Sequence, residues 1–320
     1  MNKIHTGFSI NPYVGSLNTD QSLCKYIKTN YFLDYLNTEK LWFNRVLKWE
    51  SIDPCEGEML PVFKKYLASK HKDNLEYEFY KTVVEQGVKT NFGCCFAIWD
   101  GEENDHMWQV FTPKHDNYGV IIIINSGDLY NAVNQVENKH IYLSKVKYLS
   151  DDKAKSMKPE ECSHSNKRSF HFEESHFLKR IAYKNEKEVR AIISSIDNNW
   201  TVLLHQFINE NQIQYFPPNT VTPRNCIRID MKDSHIIQTS RDRVIFLNND
   251  ESASFIEFIR SNNLKNVEDG KRVYFSLRNI KKVILHSGLD QETKLSIEKS
   301  INNKNLKCEV VSSNLYTTPW

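Results

Sequence analysis

Three charged residues at alternate positions, Glu186, Glu188 and Arg190, stand just ahead of a run rich in β-branched residues. Two carboxylates beside a guanidinium can hold a sugar hydroxyl and act as a base, while the guanidinium orients them through bidentate hydrogen bonds. In a strand, the period of two places Glu186, Glu188 and Arg190 on one face. Val189, Ala191 and Ile193 then point to the other face, toward a core. In a helix, Asn185 becomes the N-cap and Glu188 falls at N3, the capping-box spacing. Val189, Ile192, Ile193 and Ile196 then form the apolar stripe. The Val and Ile content favours the strand, and the capping pattern keeps the helix open.

Three further constellations have functional and structural readings. Asp53 and Glu56 flank Pro54 and could hold a polar ligand. They equally suit a turn entering a helix, with Asp53 as N-cap and Pro54 at N1. Trp108 and Phe111, followed by His115 and Tyr118-Gly119, could wall a nucleobase or nicotinamide pocket, or simply fill a core. Lys25 and Tyr26 are adjacent on a short strand, so they point to opposite faces and only one can meet a given site. There is no P-loop, His-Glu-x-x-His or Gly-x-Ser-x-Gly elbow, and kinase and hydrolase readings have nothing to rest on.

The elements that would position these groups follow from periodicity. Leu23–Ile27 reads as a strand, with Thr29 or Asn30 capping a helix over Tyr31–Leu36. Leu41–Phe43 is a second strand, and Trp49–Gly57 a loop. Helices are expected over 57–69 and 74–86, a buried strand over Cys94–Trp99 and a helical turn over Met107–Phe111. A strand over Val120–Ile124 leads to a helix over 127–136 capped by Ser126, and Ile141–Tyr148 is a half-buried strand. Residues 151–168 read as a mobile loop and Phe170–Arg180 as a helix. Strands are expected at Thr201–Phe207, Ile213–Phe216, Cys226–Ile229, His235–Thr239, Val244–Leu247 and Val273–Leu277. The chain closes on a strand over Ile280–His286, a helix over Gln291–Ser300 and a strand over Leu306–Val311. No Gly-rich phosphate turn follows a strand, which disfavours a Rossmann fold.

Bulk composition sets outer limits. The 320 residues suffice for one large domain or two ordinary ones. We expect residues 1–20 to be a flexible arm and 21–320 a single domain, with 200–320 as a C-terminal subdomain. A hydrophobic fraction of 40% and a charged fraction of 26% are those of a globular chain with a core. The net charge of +2 excludes a dedicated nucleic-acid coat but not a local basic groove. The 7 cysteines show no paired spacing, and Cys94-Cys95 read as buried reduced thiols. Cys162-Ser163-His164 lacks a second ligand pair, so no metal is expected. No secretory h-region or membrane span is evident, and a cytoplasmic location is expected.

The residue pattern resembles a widespread bacterial family catalogued as a domain of unknown function. The resemblance rests on Lys25-Tyr26, Leu41-Trp42-Phe43, Asp53-Pro54-Cys55-Glu56, Trp108-x-x-Phe111 with Gly119, and Glu186-x-Glu188-x-Arg190. It spans residues 23–195 and 279–312. It departs at Ile27, where the family has Arg, at Ile52, where it has Asn, and at Phe111, where it has Tyr. More distantly, the layout is similar to ADP-ribosyltransferase toxins. That likeness implies an α+β fold with a mixed, largely antiparallel sheet, flanking helices and a split in the sheet. It implies NAD as co-substrate and a late glutamate that grips the nicotinamide ribose, so that an oxocarbenium-like sugar forms and a target nucleophile attacks it. By this likeness Glu188 is the catalytic residue, aided by Glu186, and Lys25, Tyr26, Asp53, Glu56, Trp108, Phe111 and Arg190 surround the cofactor. The target would be a nucleic acid or a protein, the setting phage defence or a toxin system, and a protein partner or antitoxin would be encoded nearby. The alternative is a non-enzymatic sensor or scaffold that binds a nucleotide or a phage component.

Overall fold

A computed structural model describes residues 17–51, 91–113, 118–136, 139–150, 152–153, 176–195, 234–240, 243–261 and 269–315, with Glu78, Thr82, Phe207 and Glu210. The fold is α+β. Strand β1 (Ser22–Lys28) runs into helix α1 (Thr29–Thr38), and β2 (Lys40–Arg45) is followed by a 3₁₀ turn over Val46–Ser51. Next come β3 (Asn91–Ile98), α2 (Asp105–Phe111), β4 (Gly119–Asn125) and α3 (Ser126–Asn134). Strands β5 (Lys139–Lys145), β6 (Lys147–Leu149) and β7 (Leu178–Arg180) precede a 3₁₀ segment over Ile181–Glu186 and strand β8 (Glu188–Ser195). The rest comprises β9 (Ser234–Ser240), β10 (Arg243–Asn248), α4 (Asn249–Ser261), β11 (Gly270–Tyr274), β12 (Lys282–Leu285), α5 (Gln291–Asn303) and β13 (Glu309–Ser312).

Among the described residues, one nine-stranded sheet runs in the order β11-β2-β3-β1-β4-β12-β13, with β8 bonded to β3 and β5 bonded to β8. Its pairs are antiparallel except β12 with β13. The sheet forks at β3. Gly93 pairs with Asn44 of β2 and with Ile192 of β8, and Ala97 pairs with Cys24 of β1 and with Glu188 of β8. A strand has two edges, so β1 and β2 must share the edge opposite β8 and diverge along it.

Alternation then assigns the two faces. On one face Leu23, Ile27, Phe43, Phe96, Ile122, Val189, Ala191 and Ile193 meet Phe32, Tyr35 and Leu36 of α1, Leu129 and Val133 of α3, and Ile297 and Ile301 of α5 in the main core. Strand β4, an unbroken Val-Ile run, is buried on both faces, the pattern of a central strand. On the second face, Cys24, Tyr26, Ala97, Ile121 and Ile123 are covered by Met107 and Trp108 of α2. Val46, Trp49, Phe177 and Ile192 form a smaller cluster beside them. Elsewhere β9 and β10 make a separate hairpin, and β6 pairs with β7 in parallel.

Several local expectations shift. Helix α1 is preceded by Lys28, which makes no side-chain cap, rather than capped by Thr29 or Asn30. Thr29 is already helical, and Asn30 Oδ1 only accepts from the next N–H, of Tyr31. Helix α3 begins at Ser126 itself, whose hydroxyl donates to the Asn18 carbonyl instead of capping. The stretch 141–148 breaks at Val146, whose N–H donates to the Glu188 carbonyl, and continues as β6 in a different sheet. The helix expected over 170–180 is absent from its described end, because Leu178–Arg180 pairs with β6. The strand expected to Leu277 stops at Tyr274, and Leu277–Asn279 forms a 3₁₀ turn. The helices expected over 57–69 and 74–86, the loop 151–168 and the strands at 201–229 fall almost wholly outside the described residues. The closing strand–helix–strand unit stands as β12-α5-β13.

Candidate functional site

Glu188 opens a strand, and the helical alternative at this position is ruled out by its pairing with β3 and β5. Lys187 takes a left-handed φ of 45° as the preceding 3₁₀ segment turns into β8. This hinge leaves Glu186 and Glu188 close enough to share one cation. Lys179 Nζ donates to Glu186 Oε2 at 2.7 Å and to Glu188 Oε2 at 3.2 Å. Arg190 grips the same carboxylate twice, Nε to Oε1 at 2.8 Å and Nη2 to Oε2 at 2.9 Å. Its remaining nitrogen, Nη1, donates to the His176 carbonyl at 2.6 Å, and its guanidinium lies over the Trp49 ring. The Glu188 N–H donates to the Tyr148 hydroxyl at 2.8 Å.

The two carboxylates and the guanidinium are buried. Glu186, Glu188 and Arg190 are 5%, 4% and 1% exposed. Burial opposes the Glu188 charge, yet the charge and hydrogen bonds of Arg190, with Lys179, hold its carboxyl at about 2. Burial, reinforced by Arg190, pushes His176 down to about 3. His176 is therefore neutral, and its Nε2 faces the Asn91 amide nitrogen at 2.9 Å. Desolvation and the Glu188 charge push the Cys95 thiol well above its ordinary range. Among the described residues Lys179 and Arg190 face Glu186 and Glu188, and the geometry is that of a neutralised, rigid hub.

An open cleft lies elsewhere on the same sheet face. Asn104 caps α2 through its side chain, which accepts from Met107 N–H at 3.2 Å. The helix thereby sets Trp108 against Tyr26, edge to face, with ring centroids 5.1 Å apart. Glu103 receives the Trp108 indole N–H at 2.9 Å, the Ser313 hydroxyl and the Asn314 N–H at 3.1 Å, and so ties α2 to the chain after β13. His286, just past β12, meets Trp108 edge-on at 4.9 Å and stacks on Tyr118 at 4.3 Å and 17°. Burial lowers the His286 pKa, and its Nδ1 accepts from Gly288 N–H at 2.9 Å. The accepting nitrogen assigns the proton of the neutral ring to Nε2.

Trp108, Tyr118, His286, Ser287 and Gly288 line this cleft of about 400 Å³ together with Gln109, Thr112 and Pro113. Two strained or crowded features form it. Tyr118 holds a left-handed φ of 56°, a rare state for an aromatic residue. Gly288 must lack a side chain, because a Cβ there would lie 2.5 Å from the Tyr118 ring. Among the described residues, no group of three or more His, Cys, Asp or Glu is placed to hold a metal. No described helix is long and apolar enough to cross a membrane.

The residues singled out by sequence thus separate into two places. Glu186, Glu188 and Arg190 form the buried hub. Tyr26, Trp108 and Phe111 form an aromatic cluster, of which Trp108 reaches the cleft. The two are linked by Asn104, which holds the Tyr26 hydroxyl through its N–H at 3.1 Å and donates from its amide to the Asn185 carbonyl at 3.3 Å. Lys25 lies on the opposite sheet face, with its ammonium on the Cys95 carbonyl at 3.1 Å and over the Phe96 ring. Asp53 and Glu56 fall outside the described residues. Sequence reasoning missed His286, Gly288, Glu103, Lys179 and His176. For the first two a signal existed: His286-Ser287-Gly288 is a turn between a strand and a helix capped by Asp290, a common place for a ligand.

Residues 107–191 match a family model described as protein of unknown function (DUF2971). The match runs from α2 to the first residues of β8, and so includes Trp108, Tyr118 and the Glu186–Arg190 segment. No curated protein and no solved structure matches the chain.

Proposed function

We propose that this protein binds a nucleotide, with the planar ring of the ligand seated against Tyr118 and His286 in the Trp108 cleft. The observation that carries the reading is the Tyr118–His286 stack at an open cleft, held by a strained backbone and by the clearance at Gly288. Aromatic walls with a few fixed polar groups are the usual construction of a site for a planar ligand. Here the polar groups are the His286 ring and its neighbours Ser287 and Gln109. Lys294 sits beside the cleft, its ammonium on the Ser287 carbonyl at 3.0 Å, and supplies positive charge near a phosphate. The cleft's volume suits a nucleoside-sized part of a larger molecule.

The test is calorimetric titration with adenosine monophosphate, nicotinamide mononucleotide and NAD. Saturable binding is expected for at least one, weakened ten-fold or more in Tyr118→Asn, which tolerates the left-handed backbone but removes the ring. No saturable binding of any of them at concentrations up to about 1 mM would sink the reading.

One observation favours a second reading, an ADP-ribosyltransferase-like effector of phage defence or a toxin system. Glu188 is kept ionised on the same sheet face as Tyr26 and Trp108. NAD would supply a ribose carrying a cationic leaving group, and a fixed carboxylate stabilises positive charge that develops on a sugar. In this reading Glu188 is the stabilising anion, and Arg190, Lys179 and Glu186 hold it in place. Its burial and its full set of donors weigh toward the binding reading. Nicotinamide release from NAD separates the two. Turnover that vanishes in a folded Glu188→Gln variant supports the transferase, and turnover unchanged in that variant removes Glu188 from catalysis.

A further inference from the structure

The outer ribbon of the sheet carries a surface that neither reading uses. Strands β2 and β11 pair antiparallel, with Trp42 opposite Arg272 and Lys40 opposite Tyr274. Paired residues share a face, so Lys40, Trp42 and Asn44 stand beside Tyr274, Arg272 and Gly270. The opposite face of the same ribbon holds Leu41, Phe43 and Val273 in the main core. Over β1, β4 and part of β8 the described part of this face packs against α2 or against Trp49 and Phe177. Here Trp42 and Tyr274 are 40% and 53% exposed.

Trp42 is pinned rather than loose. Its indole N–H donates to Asn44 Oδ1 at 2.9 Å. Its ring lies across Gly270, where an added Cβ would meet Cζ2 at 2.2 Å. The indole is thus laid on the strand with one face outward. Tyr274 sits diagonally across from it, at a Cβ spacing of roughly 7 Å, the usual value for such neighbours in an antiparallel pair. The result is a checkerboard of two aromatic rings and two cations, Lys40 and Arg272. Two carboxylates border it. Asp34 pairs with Arg272 at 3.2 Å, with both groups about half exposed. Glu39 is turned inward, accepting the Leu277 N–H at 3.2 Å and the Tyr274 hydroxyl at 3.5 Å.

We propose that this ribbon face is a stacking platform for single-stranded nucleic acid. Successive unpaired bases would lie on Trp42 and Tyr274, and the backbone phosphates would meet Lys40 and Arg272, with phosphate replacing Asp34 on the guanidinium. Rings in a pre-set plane bind bases at little entropic cost and without sequence preference, because every base offers a π face. A duplex hides those faces in its own stack and fits only the charges. The platform is separate from the Trp108 cleft, and either can fail without the other.

The experiment is fluorescence anisotropy of the full chain with a short fluorescein-labelled single strand, in DNA and RNA forms, competed by unlabelled duplex. Wild type should bind saturably at low salt, with affinity falling as salt rises by a log–log slope near −1.4, from about 0.7 per phosphate contact. Trp42→Ala should weaken binding about ten-fold or more. Tyr274→Ala, at a more exposed position with less packing to lose, should weaken it similarly. Lys40→Gln should reduce the salt slope by about half. Tyr118→Asn should leave strand binding unchanged. The proposal is overturned by absence of saturable binding, by wild-type affinity in Trp42→Ala/Tyr274→Ala, by duplex competing as well as single strand, or by loss of strand binding in Tyr118→Asn.

Discussion

Arg190 and Glu188, two residues apart on one strand, form a two-pronged ion pair with both bonds under 3 Å and both side chains at least 95% buried. Residues i and i+2 of a strand share a face, so the pair needs no turn and no partner strand to meet. The pair converts the most chemical-looking pattern in the chain into a structural hub. It also makes a sharp claim about stability.

Breaking the hub from one side should be costly. Glu188→Gln leaves Arg190 and Lys179 short of a counter-charge inside the protein, and the expected loss is about 3–5 kcal/mol. Arg190→Met should cost a similar amount, whereas Glu188→Gln with Arg190→Met should lose far less than the sum of the two. Urea unfolding followed by circular dichroism measures all three. An unchanged midpoint in Glu188→Gln would mean that the carboxylate is not a buried ion.

Acid should act in two stages. His176 is neutral in the fold with its pKa lowered to about 3. Its contribution is therefore complete above its unfolded value of about 6.5 and declines as pH falls below it. Glu188, lowered to about 2, contributes fully above the unfolded glutamate range and loses its share as pH falls from about 4.5 toward 2. Both slopes have the same sign. Melting temperature should fall below pH 6.5 and fall further below pH 4.5. His176→Gln should make the first stage shallower, leaving the part that His286 contributes, and spare the second. A melting temperature constant from pH 7 to 5 in wild type would contradict the buried neutral histidine.

Gly288→Ala should deform the cleft more than the fold. The new methyl must push the Tyr118 ring aside, at a typical overpacking cost of about 1–3 kcal/mol. Nucleotide affinity should fall while the circular dichroism spectrum holds. Tyr118→Gly provides the converse. It relieves the left-handed backbone at φ 56° and removes the ring, so affinity should fall, while the strain relieved offsets part of the packing lost with the ring. Equal affinity in all three proteins would show that the ligand does not use this ring.

The buried thiols should be inert. Burial raises the Cys24 pKa to about 12 and also raises that of Cys94, which leaves almost no thiolate at pH 8. Maleimide labelling of the native protein, mapped by mass spectrometry, should spare Cys24 and Cys94 until denaturant is added. Rapid labelling of either at pH 8 would mean that the sheet opens there.

Local pattern determined much of this protein. The alternation from Glu188 to Ile193 fits a strand with a charged face and an apolar one, although the same residues also fit a capped helix and Glu186 lies in the 3₁₀ segment before the strand. The Val120–Ile124 run specifies a strand buried on both sides. The spacing from Ile280 to Val311 specifies a strand, a helix and a second strand. These are short-range signals, because side-chain direction repeats every two or 3.6 residues whatever the chain does elsewhere. Tertiary structure alone decided what those faces meet. Nothing near Glu188 in sequence says that Trp49 and Phe177 will sit beside its face of the sheet, or that Lys179 will close its second oxygen. Those partners turn a possible cleft floor into a buried ion pair, because a charged face becomes a site or a core according to what packs over it. The cleft shows the same dependence in reverse. Trp108 and Tyr118 are neighbours in sequence, but His286 comes from a distant segment, and only the antiparallel pairing of β4 with β12 brings Tyr118 and His286 into one stack.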